Sequence, residues 1–344
     1  VVRVPAHAAA AAEVDGYRPP AWYRGRHLQT VWGAVLRRPR IPPLHRESWE
    51  TPDGDLLELD RLPGGGPLVL VLHGLEGSSR SHYARGLLAG AAARGWSAVV
   101  MHFRSCGGRI NRLPRLYHSG DTADLDWVLG RLEAEQPGRR LGLIGISLGG
   151  NVALKWLGEQ GAAAPVAAAV AISTPFDLAA CAAVLDRGLP RRLYTARFLR
   201  TMKRKLRLKA AGLDGRVDLA RALAARTFAE YDRHVTAPLH GFADEADYWR
   251  RCSSAGYLSG IRRPCLLVNA LNDPFVPAAS LPRAAVAASP WLQAAFVPEG
   301  GHAGFLEGPL GRRSWAERRA LDFLARHLAG PAALASPTEG GPRA

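Results

Sequence analysis

Cysteine, methionine and lysine are scarce in this chain of 344 residues, with four, two and four copies. Cys106, Cys181, Cys252 and Cys265 form no C-x-x-C pair. Their spacing therefore supports neither a disulfide framework nor a zinc site. No dinucleotide or phosphate-binding loop is present, and no cofactor is expected. The chain lacks the roughly 20 consecutive strongly apolar residues that a spanning helix needs. Residues 1–14 are rich in alanine but lack the charged-then-apolar order of a secretory signal. These absences predict a cytoplasmic protein.

With lysine confined to positions 155, 203, 205 and 209, arginine supplies nearly all of the 45 basic residues. The formal net charge is +15, which raises the question of nucleic acid. No zinc-finger, RNA-binding or basic-zipper pattern accompanies it, so nucleic acid is not expected as a partner. The charge reads as a compositional bias over a solvated surface. Hydrophobic residues at 47% and charged residues at 22% suit an ordinary globular protein.

The most informative stretch is Leu141–Leu157, LGLIGISLGGNVALKWL. An apolar run to Ile146 predicts a buried strand. Val152, Ala153, Trp156 and Leu157 then fall on one face of a predicted helix. Between them stands Gly145-Ile146-Ser147-Leu148-Gly149, a G-x-S-x-G string in a strand–turn–helix context. Such a turn lifts the Ser147 hydroxyl clear of the sheet. The helix N-terminus behind it favours a developing negative charge.

Around this unit, predicted strands alternate with single helices. Strands are expected at 68–72, 97–103, 141–146, 166–172, 265–270 and 292–297. Helices are expected at 81–94, 121–135 and 312–327. The alternation predicts an α/β fold with a mostly parallel central sheet flanked by helices. A hairpin at 45–62, turning at Pro52-Asp53-Gly54-Asp55, precedes it. The expected organisation is a disordered tail at 1–20 and an aromatic arm at 21–44 packed on the core. The core itself spans 45–176 and 264–328, and a second disordered tail covers 329–344. The interval 177–263 is too long for a bare loop and reads as an inserted helical lid. Its helix near 189–210 spaces Leu189, Leu193, Ala196, Leu199, Met202 and Leu206 at three or four residues, with arginines on the other faces. That helix is expected to pack on the core. Its basic side is a candidate for transient contact with anionic lipid headgroups.

A serine hydroxyl needs a base, and the base needs a partner that fixes its tautomer. Loops at the carboxyl ends of parallel strands converge on one crevice. Three such loops carry Ser147, Asp273 and His302. Their order in the chain is that of α/β-hydrolase catalytic triads. Asp177, just after another strand, is a second candidate for the acid. His327 lies on a helix and is set aside. For the oxyanion, the expected donors are the backbone amides of Leu148 and of Leu75. Leu75 lies in the loop His73-Gly74-Leu75-Glu76-Gly77-Ser78-Ser79, where His73 is expected to brace the loop rather than touch substrate.

These residues carry a family resemblance. The chain resembles the YheT-like branch of α/β-hydrolases, also called family four of the AB hydrolase superfamily. The matching stretches are HLQT at 27–30, HGLEGSS at 73–79 followed by Tyr83-Ala84, GISLGGNVALKWLGE at 145–159, TAPLHGF at 236–242, NDPF at 272–275 and GGHAGF at 300–305. One departure is Ser105, where the resemblance leads one to expect glycine. The resemblance implies an α/β-hydrolase fold with a helical lid and a triad of Ser147, Asp273 and His302. It also implies ester or acylglycerol hydrolysis, or acyl transfer to an alcohol.

The reading that follows is a serine carboxylic-ester hydrolase acting on a short- to medium-chain acyl ester. The lid residues Leu193, Phe198, Leu199 and Met202 are expected to receive the acyl chain. Acyl transfer through the same triad is one alternative. A non-catalytic module that binds an acyl ligand or a partner is another. Nothing in the sequence specifies the oligomeric state.

Overall fold

The structure, a computed structural model, describes residues 16–213 and 215–329. The expected tails at 1–20 and 329–344 therefore fall mostly outside the described residues. One part of the first tail needs correction. Tyr17 is buried, and its hydroxyl donates to Leu306 O at 2.8 Å. Its ring lies against Phe305 and Trp315. An aromatic side chain with a satisfied hydroxyl gains too much from this seat to stay in solvent. The aromatic segment that follows forms helix α1 (Arg26–Leu36), with Gln29, Thr30 and Gly33 buried.

Eight strands form one sheet. Strands β1 (His45–Glu50) and β2 (Leu56–Leu62) are an antiparallel hairpin at one edge. Gly54 takes φ 77° in its turn, a conformation that glycine adopts without strain. Then follow β3 (Leu68–Leu72), β4 (Ser97–Met101), β5 (Leu141–Ile146), β6 (Val166–Ile172), β7 (Cys265–Ala270) and β8 (Leu292–Val297). These six pair in parallel, and β2 joins β4 antiparallel. The spatial order is β1-β2-β4-β3-β5-β6-β7-β8.

The sequence of β3, Leu-Val-Leu-Val-Leu, shows why the sheet is covered on both faces. Every residue in it is buried. Leu68, Leu70 and Leu72 join one core with Leu125 and Val128 and with Leu154 and Trp156. Val69 and Val71 point the other way, to a second core with Leu87 and Leu88. The first core is closed by the helices after β4 and β5. The second is closed by α2 (His82–Ala93) and by the helix Trp315–Leu328, through Phe323 and Leu324. Each fully buried leucine or valine contributes roughly 1.5–3 kcal/mol relative to exposure. A polar residue within β3 would therefore open one core or the other.

After β4, Ser105 occupies the left-handed region with φ 66°. Glycine would fit there without strain, yet serine is held by its own hydroxyl. Ser105 Oγ donates to Asn111 Oδ1 at 2.6 Å and accepts from Asn111 N at 3.0 Å. Helices α3 (Ala123–Glu135) and α4 (Leu148–Gln160) follow on the face of the first core.

Between β6 and β7 the chain is helical, with Leu178–Leu185, Ala196–Leu208 and Glu245–Cys252 as its longer pieces. The expected apolar face of the basic helix fails in its first turns. Leu199 and Leu206 are buried, but Leu189 and Leu193 are 52% and 45% exposed. The cause is a π-helical turn at Arg191–Thr195, where Ala196 N donates to Arg191 O. This wider turn holds an extra residue and rotates the face. Tyr194 and Thr195 turn inward in place of Leu193. Among the described residues no helix is long and apolar enough to cross a membrane.

Because β3 to β8 run parallel, the loops leaving their carboxyl ends line one edge of the sheet. Ser147, Ser173, Asp273 and His302 all stand on that edge.

Candidate active site

Strand β5 ends at Ile146 and α4 begins at Leu148, so the turn rests on Ser147 alone. Its backbone has φ 53° and ψ −121°. A non-glycine residue in so sparse a region costs roughly 1–3 kcal/mol. The surroundings enforce it. Ser147 N donates to Ile172 O of β6 at 2.8 Å. The neighbouring glycines leave no room for anything larger. A Cβ on Gly145 would lie 2.4 Å from Gly149 O, and one on Gly149 would lie 2.6 Å from the carbonyl oxygens of Leu72 and His73.

The three side chains expected to meet do so. Ser147 Oγ lies 2.9 Å from His302 Nε2, and His302 Nδ1 lies 2.8 Å from Asp273 Oδ2. Asp273 has a fully buried side chain. Its Oδ1 accepts from Phe275 N at 2.8 Å and Val276 N at 3.3 Å. An ionised carboxylate only accepts, so with His302 presenting Nδ1–H to Asp273 its Nε2 is left as an acceptor facing Ser147 Oγ. The Phe275 ring stacks on the imidazole, with centroids 4.1 Å apart.

The other acid candidate is elsewhere. Asp177 caps the helix Leu178–Leu185, accepting from Ala180 N at 3.0 Å. His327 packs on Phe323 in the helix Trp315–Leu328.

Leu75 and Leu148 line the same cavity as Ser147 and His302. Leu148 opens α4, where first-turn amides have no acceptor within the helix. The Leu75 loop is braced on both sides. Gly74 N donates to the Tyr83 hydroxyl and Glu76 N to the Tyr117 hydroxyl, each at 2.9 Å. His73 anchors its base. Nδ1 donates to Gly74 O at 2.7 Å, and Nε2 accepts from Phe103 N at 3.2 Å. Burial pushes the His73 ring down to about 3, so it stays neutral in this role.

Helix α1 supplies supports that the sequence reading did not assign. Gln29 is fully buried, and its Oε1 accepts from Asn272 Nδ2 and Gly300 N. Its Nε2 donates to Tyr23 O and to Glu299 Oε2. Thr30 Oγ1 accepts from His302 N at 3.0 Å. Just past β6, Ser173 Oγ accepts from Ala303 N at 2.9 Å. Both Ser173 and Ala303 have positive φ, so this loop is held in a strained form by the bonds around it. The HLQT stretch was the only sequence signal for Gln29 and Thr30, and nothing in it told their role.

The cavity at Ser147 has a volume of about 100 Å³. Beyond Ser147 and His302 its walls are mostly apolar, including Leu178, Ala182, Leu185, Phe198 and Phe275, with Ser119 and Asp232 as polar members. Of the four residues expected to meet an acyl chain, only Phe198 lines it. Met202 lines an adjoining cavity. Leu199 lies in the core, and Leu193 faces solvent because of the π-helical turn.

Residues 67–309 match the family described as having the alpha/beta hydrolase fold. The Escherichia coli protein YheT is 37% identical over 318 residues, covering 90% of this chain and 93% of that protein. Mouse phospholipase ABHD3 is 28% identical over 302 residues, covering 82% of this chain and 74% of its own length. The monoacylglycerol lipase of Saccharomyces cerevisiae is 28% identical over 296 residues, covering 84% and 64%. Among solved structures, the Pyrococcus furiosus esterase Pf2001 superposes with a TM-score of 0.55 at 16% identity, covering 86% of this chain and 98% of its own. At that identity the likeness is one of fold.

Proposed function

The chain belongs to the α/β-hydrolase family, and on that premise we propose that it is a serine carboxylic-ester hydrolase working through an acyl-enzyme. The observation that carries this reading is the chain of two hydrogen bonds from Ser147 Oγ through His302 to Asp273. Ser147 Oγ attacks the ester carbonyl while His302 Nε2 takes its proton. The proton then goes to the departing alkoxide, which leaves as the alcohol. A water molecule, deprotonated by the same nitrogen, releases the carboxylic acid and restores Ser147. Asp273 holds the imidazole orientation and steadies its positive charge. The Leu75 and Leu148 amides receive the negative charge on the carbonyl oxygen, a contribution commonly worth hundred-fold or more in rate. The apolar walls around Ser147 favour a short- to medium-chain acyl group. Relatives named as phospholipase and monoacylglycerol lipase are consistent with this chemistry.

The basic helix of the insert suggests how a lipid-like ester could be met. Leu189 and Leu193 stand exposed beside Arg191 and Arg192. Exposed apolar side chains among arginines suit transient contact with an anionic lipid surface.

The test is labelling with a fluorophosphonate probe, followed by a panel of p-nitrophenyl esters. Wild type is expected to label and to hydrolyse esters, and Ser147→Ala to do neither. Labelling of Ser147→Ala at the wild-type rate, or no turnover of any ester by the wild type, defeats the reading.

A further inference from the structure

The turn that carries Leu75 closes with Gly77 N donating to Gly74 O at 2.9 Å. It lies against the nucleophile, since a Cβ on Gly74 would stand 3.1 Å from Ser147 Cβ. Gly74 O also accepts from His73 Nδ1, so the carbonyl of the Gly74–Leu75 peptide is held twice. In a planar trans peptide the N–H points opposite to the carbonyl. The Leu75 amide is thereby directed out of the turn. Among the described residues it is the one amide of residues 74–77 without an acceptor in the protein, whereas Gly74 N and Glu76 N are bonded to Tyr83 and Tyr117.

The form of this turn depends on Glu76, which stands at its third position with φ 55°. Glycine is the usual residue at such a place, because other side chains are strained by a positive φ. The Glu76 carboxylate is anchored from two sides. Lys205 Nζ donates to its Oε1 at 2.7 Å, and the Tyr117 hydroxyl donates to the same oxygen at 2.8 Å. The side chains of Lys205 and Glu76 are 16% and 8% exposed, so little water screens the pair. Cys106 Sγ lies 3.0 Å from Lys205 Nζ, but burial pushes that thiol up to about 11, and Glu76 supplies the negative charge.

The two partners come from different parts of the chain. Glu76 follows β3 in the core, whereas Lys205 lies on the helix Ala196–Leu208 of the insert. That end of the helix is firmly seated. Leu206 is buried in the first core, and Lys209 Nζ donates to Asn111 O and Leu113 O at 2.7 and 2.6 Å. A nearly buried ion pair thus runs from the insert to the residue next to an expected oxyanion donor.

We propose that Lys205 is a positioning residue for the oxyanion hole: through Glu76, the insert holds the turn in the form that aims the Leu75 amide at the ester carbonyl. This rests on the ester-hydrolase reading and gives the insert a part in the chemistry besides walling the cavity. With Lys205 in place, Glu76 keeps its left-handed backbone and Gly77 N keeps its bond to Gly74 O. Without it, Glu76 is held by Tyr117 alone, and the strained turn relaxes and swings the Leu75 amide. That amide matters most when the carbonyl oxygen carries negative charge. The loss therefore falls on the transition state rather than on substrate binding.

The experiment compares Lys205→Met with wild type on p-nitrophenyl octanoate and on two ligands of one shape. One is an alkyl trifluoromethyl ketone, whose carbonyl carbon bonds to Ser147 Oγ while its oxygen takes the negative charge and His302 takes the proton. The other is the corresponding alcohol, which forms no adduct. In Lys205→Met, kcat is expected to fall by about ten- to hundred-fold with KM within about two-fold. Affinity for the ketone should weaken by the same factor as kcat/KM, and affinity for the alcohol should stay unchanged. The variant leaves the Glu76 charge nearly buried without its partner, which can prevent folding. The double variant Lys205→Met with Glu76→Gln removes both charges and should show the same split. In whichever variant folds, a kcat within two-fold of wild type, or ketone and alcohol weakened alike, overturns the proposal. If wild type turns over no ester and Ser147 does not label, the parent reading fails instead, so the two failures are distinct.

Discussion

Gln29 Oε1 accepts a hydrogen bond from Asn272 Nδ2 at 2.9 Å. The same oxygen accepts from Gly300 N at 3.0 Å. One buried amide on α1 thereby ties the loop that carries Asp273 to the loop that carries His302. Gln29→Leu keeps the volume but leaves four bonding groups unmet. The expected loss is about 10- to 100-fold in kcat, because a shift of about 1 Å in a catalytic group costs on that order. KM should move less, since Gln29 does not line the cavity. Kinetics at a temperature well below the unfolding midpoint check this. A kcat unchanged in folded protein would show that the two loops hold their geometry without α1.

Asp273 and Asp177 separate two assignments of the acid. Asp273→Asn keeps the shape but presents an amide to His302 Nδ1 and disfavours the needed tautomer. By analogy with other triads, kcat should fall by about 10⁴-fold. Asp177→Asn should leave ester hydrolysis within about two-fold, since asparagine caps a helix as well as aspartate does. A large loss on Asp177→Asn with little on Asp273→Asn would reverse the roles.

Much of this arrangement could be read from residue order. β3, β5 and β7 announce themselves as short apolar runs, and each ends at a loop rich in glycine or proline. The elbow at Ser147 is visible because Gly145 and Gly149 flank it where a Cβ has no room. What stayed hidden depends on distant contacts or local register. Gln29 and Asn272 are 243 positions apart, and no pattern near either points to the other. The π-helical turn at Arg191–Thr195 is invisible to a helical period, which puts Leu193 on the wrong face. Tyr17 lies in an alanine- and proline-rich neighbourhood that resembles a tail, yet its seat is made by Phe305 and Trp315.

Four histidines make stability sensitive to acid. Burial pushes His73, His82, His118 and His240 from 6.5 to about 3. Below pH 6.5 the unfolded chain binds protons at these rings and the folded chain does not. The stability they contribute is therefore present above pH 6.5 and is lost as pH falls toward 3. Each ring costs at most about 1.4 kcal/mol per pH unit in that window. Together they approach the roughly 5–15 kcal/mol of a typical domain before ordinary carboxylates titrate. Urea midpoints measured at pH 7.5, 6 and 5 should fall steeply. His82→Gln should fall less steeply than wild type, whatever its stability at pH 7.5. Parallel slopes would mean that His82 is protonated equally in both states.

The exposed leucines and arginines of the insert predict surface behaviour. The protein should sediment with vesicles containing anionic phosphatidylglycerol and not with neutral phosphatidylcholine vesicles. Binding should weaken as salt screens the arginines. Each basic residue near an anionic surface contributes about 1 kcal/mol. The double variant Arg191→Glu and Arg192→Glu should thus lower partitioning by at least about ten-fold. Equal sedimentation of the variant and wild type would remove this helix from any membrane contact.

Ser147 also allows the cost of the elbow to be measured. Ser147→Ala and Ser147→Gly both remove the hydroxyl and its bond to His302, so both should be inactive. They differ in the backbone. Alanine keeps the Cβ that makes φ 53° unfavourable, whereas glycine takes that conformation freely. The strain released is roughly 1–3 kcal/mol. Against it stands the greater freedom of glycine in the unfolded chain, roughly 0.5–1 kcal/mol. The balance favours glycine, so Ser147→Gly should be more stable than Ser147→Ala by about 1 kcal/mol in matched urea titrations. If alanine proves the more stable, the turn carries no stored strain. The geometry of Ser147 would then follow from the Gly145–Gly149 contact and the Ile172 bond alone.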